Sequence, residues 1–198
     1  MTPRLTALRF GRLGMLSGIG AMLLWGVLVV DAAAFDGLSS PGSIRELRAG
    51  LLAHDVSGLW SGQSKERGPD VGAEIFFDRA LFQVLAATAY PGVGIHLNVS
   101  NGTSKVYGGF LLQWETKTGI LFSTGLGLAL HDGSRSTDSP DHKSLGSQVL
   151  FRIPVEIGYA LDRRHRILLA FDHVSNANLA QPNQGMDTLG LVYAYRFD

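Results

Sequence analysis

Cysteine is absent from the sequence, so no disulfide, thiolate nucleophile or cysteine-based zinc site is open to this chain. An excess of either charge is missing too. The 17 Lys and Arg balance 17 Asp and Glu, which excludes a nucleic-acid partner, since that class needs a basic excess. Charged residues of both signs are scarce at 17 %, against roughly 25 % in ordinary soluble domains. With 45 % hydrophobic content, this weighs against a disordered chain and against an ordinary cytosolic enzyme. Long apolar runs are nearly missing as well. One occurs, at residues 13–30, and nothing after it is long enough to cross a membrane as a helix.

That run reads as an address. Arg4, Arg9 and Arg12 precede it, and Ala32, Ala33 and Ala34 follow as an A-x-A pattern. Positive start, apolar middle and small residues predict a secretory signal peptide over residues 1–34, cleaved after Ala34. Residues 35–198 are then a single domain. A retained anchor is the alternative, because the uncharged run is close to the roughly 20 residues of a spanning helix.

What the rest contains is alternation, together with 25 glycines. Val149, Phe151, Ile153, Val155, Ile157 and Tyr159 interleave with Gln148, Arg152 and Glu156. Period two means a strand with one apolar and one polar face. The pattern recurs at Leu47–Ala49–Leu51, Val71–Ala73–Ile75–Phe77, Val93–Ile95–Leu97–Val99 and Val106 to Trp114. It continues at Ile120 to Leu130, Ile167–Leu169–Phe171 and Leu189 to Phe197. Eight amphipathic strands, most long enough to span, predict an all-β, eight-stranded antiparallel transmembrane barrel of the outer-membrane kind. A soluble sandwich also alternates. Two features favour the barrel. Glu46, Arg48, Glu74, Arg152, Glu156, Arg166 and Arg196 share the polar faces, where charges can pair in a filled lumen. Trp114, Tyr159, Tyr193 and Tyr195 lie near strand ends, as in an interfacial girdle.

Connections follow the same rule. Long segments follow the first and fifth strands, whereas ETKTG and LDRRH are short turns. The segment DRALFQVLAA is long for a turn, and Pro154 inside a strand predicts a bulge.

The chemistry gathers at the last hairpin. His173 and Ser175 are two apart on a strand and share a face, and Asp187 has the outward parity of the strand that follows. A nucleophile, its base and an acid on a lipid-facing wall are expensive to keep without purpose. Ser-Asn-Ala-Asn is also plain turn chemistry, and spacing alone leaves both readings open. Asp132, Asp138, Asp141 and His142 crowd one loop without the spacing of a calcium loop, and a solvated loop is the simpler account.

His173-Val-Ser175-Asn176-Ala177, then Gln181-Pro182-Asn183-Gln184-Gly185 and Asp187, resembles the signature of the outer-membrane lipid A 3-O-deacylase family, PagL. The resemblance implies an ester hydrolase with Ser175 as nucleophile, His173 as base and Asp187 as the orienting acid. It implies Asn183 as oxyanion donor and Asn176 in support, with no metal or cofactor. The family's best-known members carry Glu where this chain has Asp187, so the shorter acid must approach more closely. The implied partners are lipopolysaccharide, through its lipid A, and outer-membrane lipids. The oligomeric state stays open, a homodimer among the alternatives. A phospholipase or esterase using the same triad, and a non-enzymatic structural barrel, are the other readings.

Overall fold

The computed structural model describes residues 43–197. The expected signal segment, residues 1–34, lies outside them. Nine strands follow in order: β1 Ile44–Ala53, β2 Pro69–Phe77, β3 Phe82–Val84, β4 Ala87–Asn98, β5 Lys105–Glu115, β6 Ile120–His131, β7 Val149–Ala160, β8 His165–Ser175 and β9 Met186–Arg196. No helix occurs among the described residues. Every pairing is antiparallel, β1 lies between β2 and β9, and a β2–β4 ladder closes the cylinder. Eight long strands therefore form a closed barrel, and β3 is a short flap on β4. Closure leaves no long strand with an unpaired edge, the condition for backbone to sit in lipid.

The alternation sorts side chains in the sense opposite to that of a soluble protein. Leu51, Val71, Leu97, Leu128, Ile157, Ile167 and Leu191 are exposed on the outer wall, while Glu46, Arg48, Glu74, Arg152, Glu156, Arg166 and Asp172 are buried in the lumen. Those charges are paired. Arg48 reaches Glu46 at 2.5 Å and Glu156 at 2.7 Å, Arg152 reaches Asp172 at 2.7 Å and Glu74 at 3.1 Å, and Lys105 reaches Asp172 at 2.7 Å. Removing one member would leave an uncompensated buried charge, at a cost of about 3 to 5 kcal/mol. Arg196 sits at the barrel mouth instead, where it shares Glu115 with Arg166.

One local expectation is corrected. No bulge forms at Pro154. The β6–β7 register is the same before and after it, since Thr124 faces Val155 and Gly127 faces Arg152. The Thr124 hydroxyl donates to the Pro154 carbonyl at 3.0 Å across the stretch where proline removes a ladder donor. The one shift in the β1–β2 ladder falls between Ile44 and Glu46. DRALFQVLAA, long for a turn, contains β3, which pairs back on the start of β4.

Trp114, Tyr159, Tyr193 and Tyr195 all lie toward the end of the barrel that carries the short turns 116–119 and 161–164. The long loops 54–68 and 132–148, and the hairpin loop 176–185, cluster at the other end.

Leu169 is outward and 45 % exposed at mid-strand in β8, whereas Ser136 is exposed in the 132–148 loop. Leu169→Arg is expected to lower the yield of assembled barrel, since Arg at the bilayer midplane costs roughly 2 to 4 kcal/mol. Ser136→Arg should leave it unchanged. Heat-modifiable gel mobility reads both variants, and equal assembly would reverse the facing assignment.

Candidate active site

β8 and β9 run side by side with His173 opposite Asp187, while Ser175 lies opposite Phe151 of β7. All three side chains have outward parity. His173 Nδ1 is 2.6 Å from Asp187 Oδ1, and His173 Nε2 is 3.1 Å from Ser175 Oγ. The strand period sets the His–Ser relation, and the ladder register sets the His–Asp relation. The short Asp reaches because its strand is the hydrogen-bonded neighbour.

The three groups are not equally open to the membrane: Asp187 is fully buried, and the His173 side chain is 13 % exposed. Their cover is the β1–β2 loop. Its Ser61 N–H donates to Asp187 Oδ2 at 2.7 Å, and the Trp60 ring stands edge-on to His173 with centroids 5.0 Å apart. Neither residue was singled out by sequence, although Gly58-Leu59-Trp60-Ser61-Gly62, an aromatic between glycines in the first long loop, was the available signal.

The hairpin beyond Ser175 is built on asparagines. The Asn176 side chain is buried and donates to the carbonyls of Leu145 and Pro182 at 2.9 and 3.1 Å, tying the hairpin to the 132–148 loop. Its backbone N–H donates to Asn183 Oδ1 at 3.0 Å, and Asn183 Nδ2 donates to Asn178 Oδ1 at 3.0 Å. Gly185 returns the chain to β9 with φ +58°, and a Cβ there would stand 3.3 Å from His173 Cε1. A side chain at this position would be strained and would crowd the imidazole.

The covering loop is anchored in the long-loop mouth of the barrel. Asp55 Oδ2 accepts the N–H groups of Lys65 and Glu66 at 2.7 and 3.0 Å, and Lys143 Nζ lies 2.7 Å from Asp55 Oδ1. Glu66 accepts from the Thr103 N–H, the Thr103 hydroxyl and the Lys143 N–H. His54 spans Asp70 and Glu66, 3.0 Å from each. Burial alone would lower the pKa of His54, but its bonds to the two carboxylates prevail and raise it to about 9. Burial would raise that of Glu66, and the bonds from His54, Lys143 and Thr103 instead lower it to about 2. Among the described residues no group of three or more His, Asp or Glu could hold a metal ion, and Asp132 is engaged by the Ser104 N–H at 2.7 Å.

Residues 55–196 match the model of the family described as lipid A 3-O-deacylase (PagL). The chain belongs to that family. The PagL family is one of ester hydrolases acting on acyl esters, and the matched residues span β2–β9 and the entire site. A curated relative, the lipid A deacylase PagL of Bordetella bronchiseptica, is 30 % identical over 150 residues, covering 74 % of this chain and 70 % of the relative. Among solved structures, the outer-membrane enzyme PagL superposes with a TM-score of 0.56 at 21 % identity, over 77 % of this chain and 99 % of that one. Neisserial surface protein A superposes with a TM-score of 0.50 at 9 % identity, over 80 % and 100 %. At those identities the two structures speak for the PagL-type barrel fold.

The His54–Glu66 pair makes the anchoring of the covering loop pH-dependent. His54, raised from 6.5 to about 9, contributes fully below its unfolded value, and the contribution is lost as pH rises through about 9. Glu66, lowered from 4.5 to about 2, contributes above its unfolded value and loses that contribution as pH falls through about 2. Limited proteolysis of residues 54–68 should therefore be slowest between about pH 4.5 and 6.5 and accelerate toward either extreme. Cleavage at about pH 10 no faster than at about pH 6 would contradict this.

Proposed function

We propose that this chain hydrolyses the ester-linked 3-O-acyl chain of lipid A at the outer leaflet of the outer membrane, with Ser175, His173 and Asp187 as its triad. Export through residues 1–34 as a signal belongs to the same proposal. The observation that carries it is the continuous Ser175–His173–Asp187 relay, at 3.1 and 2.6 Å, on the outer wall of a barrel of the PagL family. Membrane-embedded lipid reaches that wall without leaving the bilayer. The long-loop end, where the relay sits, is the external end by the rule that external loops are long and periplasmic turns short.

On this reading each atom has a task. Asp187 Oδ1 holds the proton of His173 on Nδ1, which leaves Nε2 free to accept the Ser175 hydroxyl proton. Ser175 Oγ then attacks the acyl carbonyl carbon. Collapse of the tetrahedral intermediate breaks the bond to the sugar oxygen, which takes the proton from Nε2. Water, activated by the same nitrogen, releases the fatty acid and restores Ser175. Asn183 Nδ2 gives one hydrogen to Asn178 and keeps the other for the oxyanion, while the Asn176 N–H fixes the carboxamide through Oδ1. One such donor is worth roughly 3 to 4 kcal/mol in the transition state.

Ser175→Ala and His173→Ala are each expected to abolish 3-O-deacylation, by about 10⁶-fold in kcat, with the double variant hardly worse. Asp187→Asn should cost less, about 10⁴-fold. Mass spectrometry of lipid A, run beside phospholipid vesicles, reads all of them. Undiminished release by Ser175→Ala would end the serine mechanism, and release from phospholipid alone would replace the substrate.

A further inference from the structure

The β1–β2 loop holds Asp187 from the side opposite His173. The Val56 N–H donates to the Asp187 main-chain carbonyl at 2.8 Å, and the Ser61 N–H donates to Oδ2, the oxygen that His173 does not use. Between them the Gly58 N–H donates to the Gly62 carbonyl at 2.8 Å, closing a turn in which both glycines take φ +78° and from which Trp60 projects. Trp60 meets the His173 ring at an interplanar angle of 70° and Phe171 at 62°. None of these contacts belongs to the barrel ladder.

We propose that Trp60 and the Ser61 N–H are positioning elements of the hydrolytic site. The amide sets the rotation of the Asp187 carboxylate, and the indole sets the plane of the imidazole. The proposal rests on the Ser175–His173–Asp187 reading above. A carboxylate bonded through one oxygen can still turn about Cβ–Cγ, and an imidazole can turn about its broad χ2. With Oδ2 held by Ser61, Oδ1 stays on the His173 axis. The same bond gives that buried oxygen a partner. With Trp60 against its edge, His173 keeps Nε2 aimed at Ser175. Misplacement of reacting groups by about 1 Å costs on the order of 100-fold, which is the scale at stake. Trp60 is also 52 % exposed, so an indole that simply touches the acyl chain is the competing role.

Steady-state kinetics of the full chain in detergent micelles with lipopolysaccharide separates the two roles. Trp60→Ala is expected to lower kcat about tenfold or more with KM changed less than about twofold, and Trp60→Phe to restore most of it. A raised KM with unchanged kcat would make Trp60 a substrate contact and overturn its positioning role. Ser61→Pro, which deletes the amide hydrogen, should lower kcat about 100-fold, yet add less than about twofold in an Asp187→Ala background. A full additional loss in that background would mean that the loop acts on the barrel and not through the acid. Heat-modifiable mobility monitors folding, and if Ser61→Pro does not assemble, the Trp60 pair decides. Full activity of Ser175→Ala in the same assay would remove the underlying triad; an inactive Ser175→Ala beside fully active Trp60→Ala and Ser61→Pro would remove only this proposal.

Discussion

Closure of the backbone ladder between β2 and β4, and between β1 and β9, is the constraint on which the rest of the molecule depends. In a hydrocarbon surround an unpaired row of N–H and C=O groups costs several kcal/mol per group, so the sheet must close on itself. Once it has closed, the pleat admits one sorting of side chains. One set of alternate residues faces lipid, and the other fills a narrow lumen. Charges in that lumen survive because each meets an opposite partner, as Arg152 does between Glu74 and Asp172.

Such a wall holds the site as well. His173 and Ser175 are fixed relative to each other by two steps along one strand, and Asp187 is fixed to His173 by the β8–β9 register. The interior charge network ties β8 to β5 and β7, since Asp172 pairs with Lys105 and Arg152. Polar groups on the outside of a barrel lack the enclosing walls of a pocket, and here loops supply them. The hairpin 176–185 closes one side through Asn176 and Asn183, and the β1–β2 loop closes the other through Trp60 and Ser61. Because the second loop is anchored among His54, Asp55, Glu66 and Lys143, the electrostatics of the barrel mouth bear on the site outside it.

Much of this was legible in the residues themselves. Val149 to Tyr159 states its facing by parity, and so does every other long strand, because a pleated strand repeats every two residues whatever surrounds it. The lumen set of Glu46, Arg48, Glu74, Arg152, Glu156 and Arg166 follows from the same count. Pro154 misled because its missing N–H can be met either by an extra residue or by a local lapse in pairing, and sequence does not distinguish them. The strand within DRALFQVLAA is not legible, because three residues are too few to show a period.

What the sequence by itself determined is the set of eight long strands, the inside and outside of each of them, and the common face of His173 and Ser175, all of them read from a period of two residues. What only the tertiary structure decided is the environment of the acid. Ser61 and Asp187 are 126 positions apart, and they meet because β1 and β9 are neighbours in a closed cylinder. Contact across that distance depends on ladder closure and on where a long loop falls, and no local periodicity records either one.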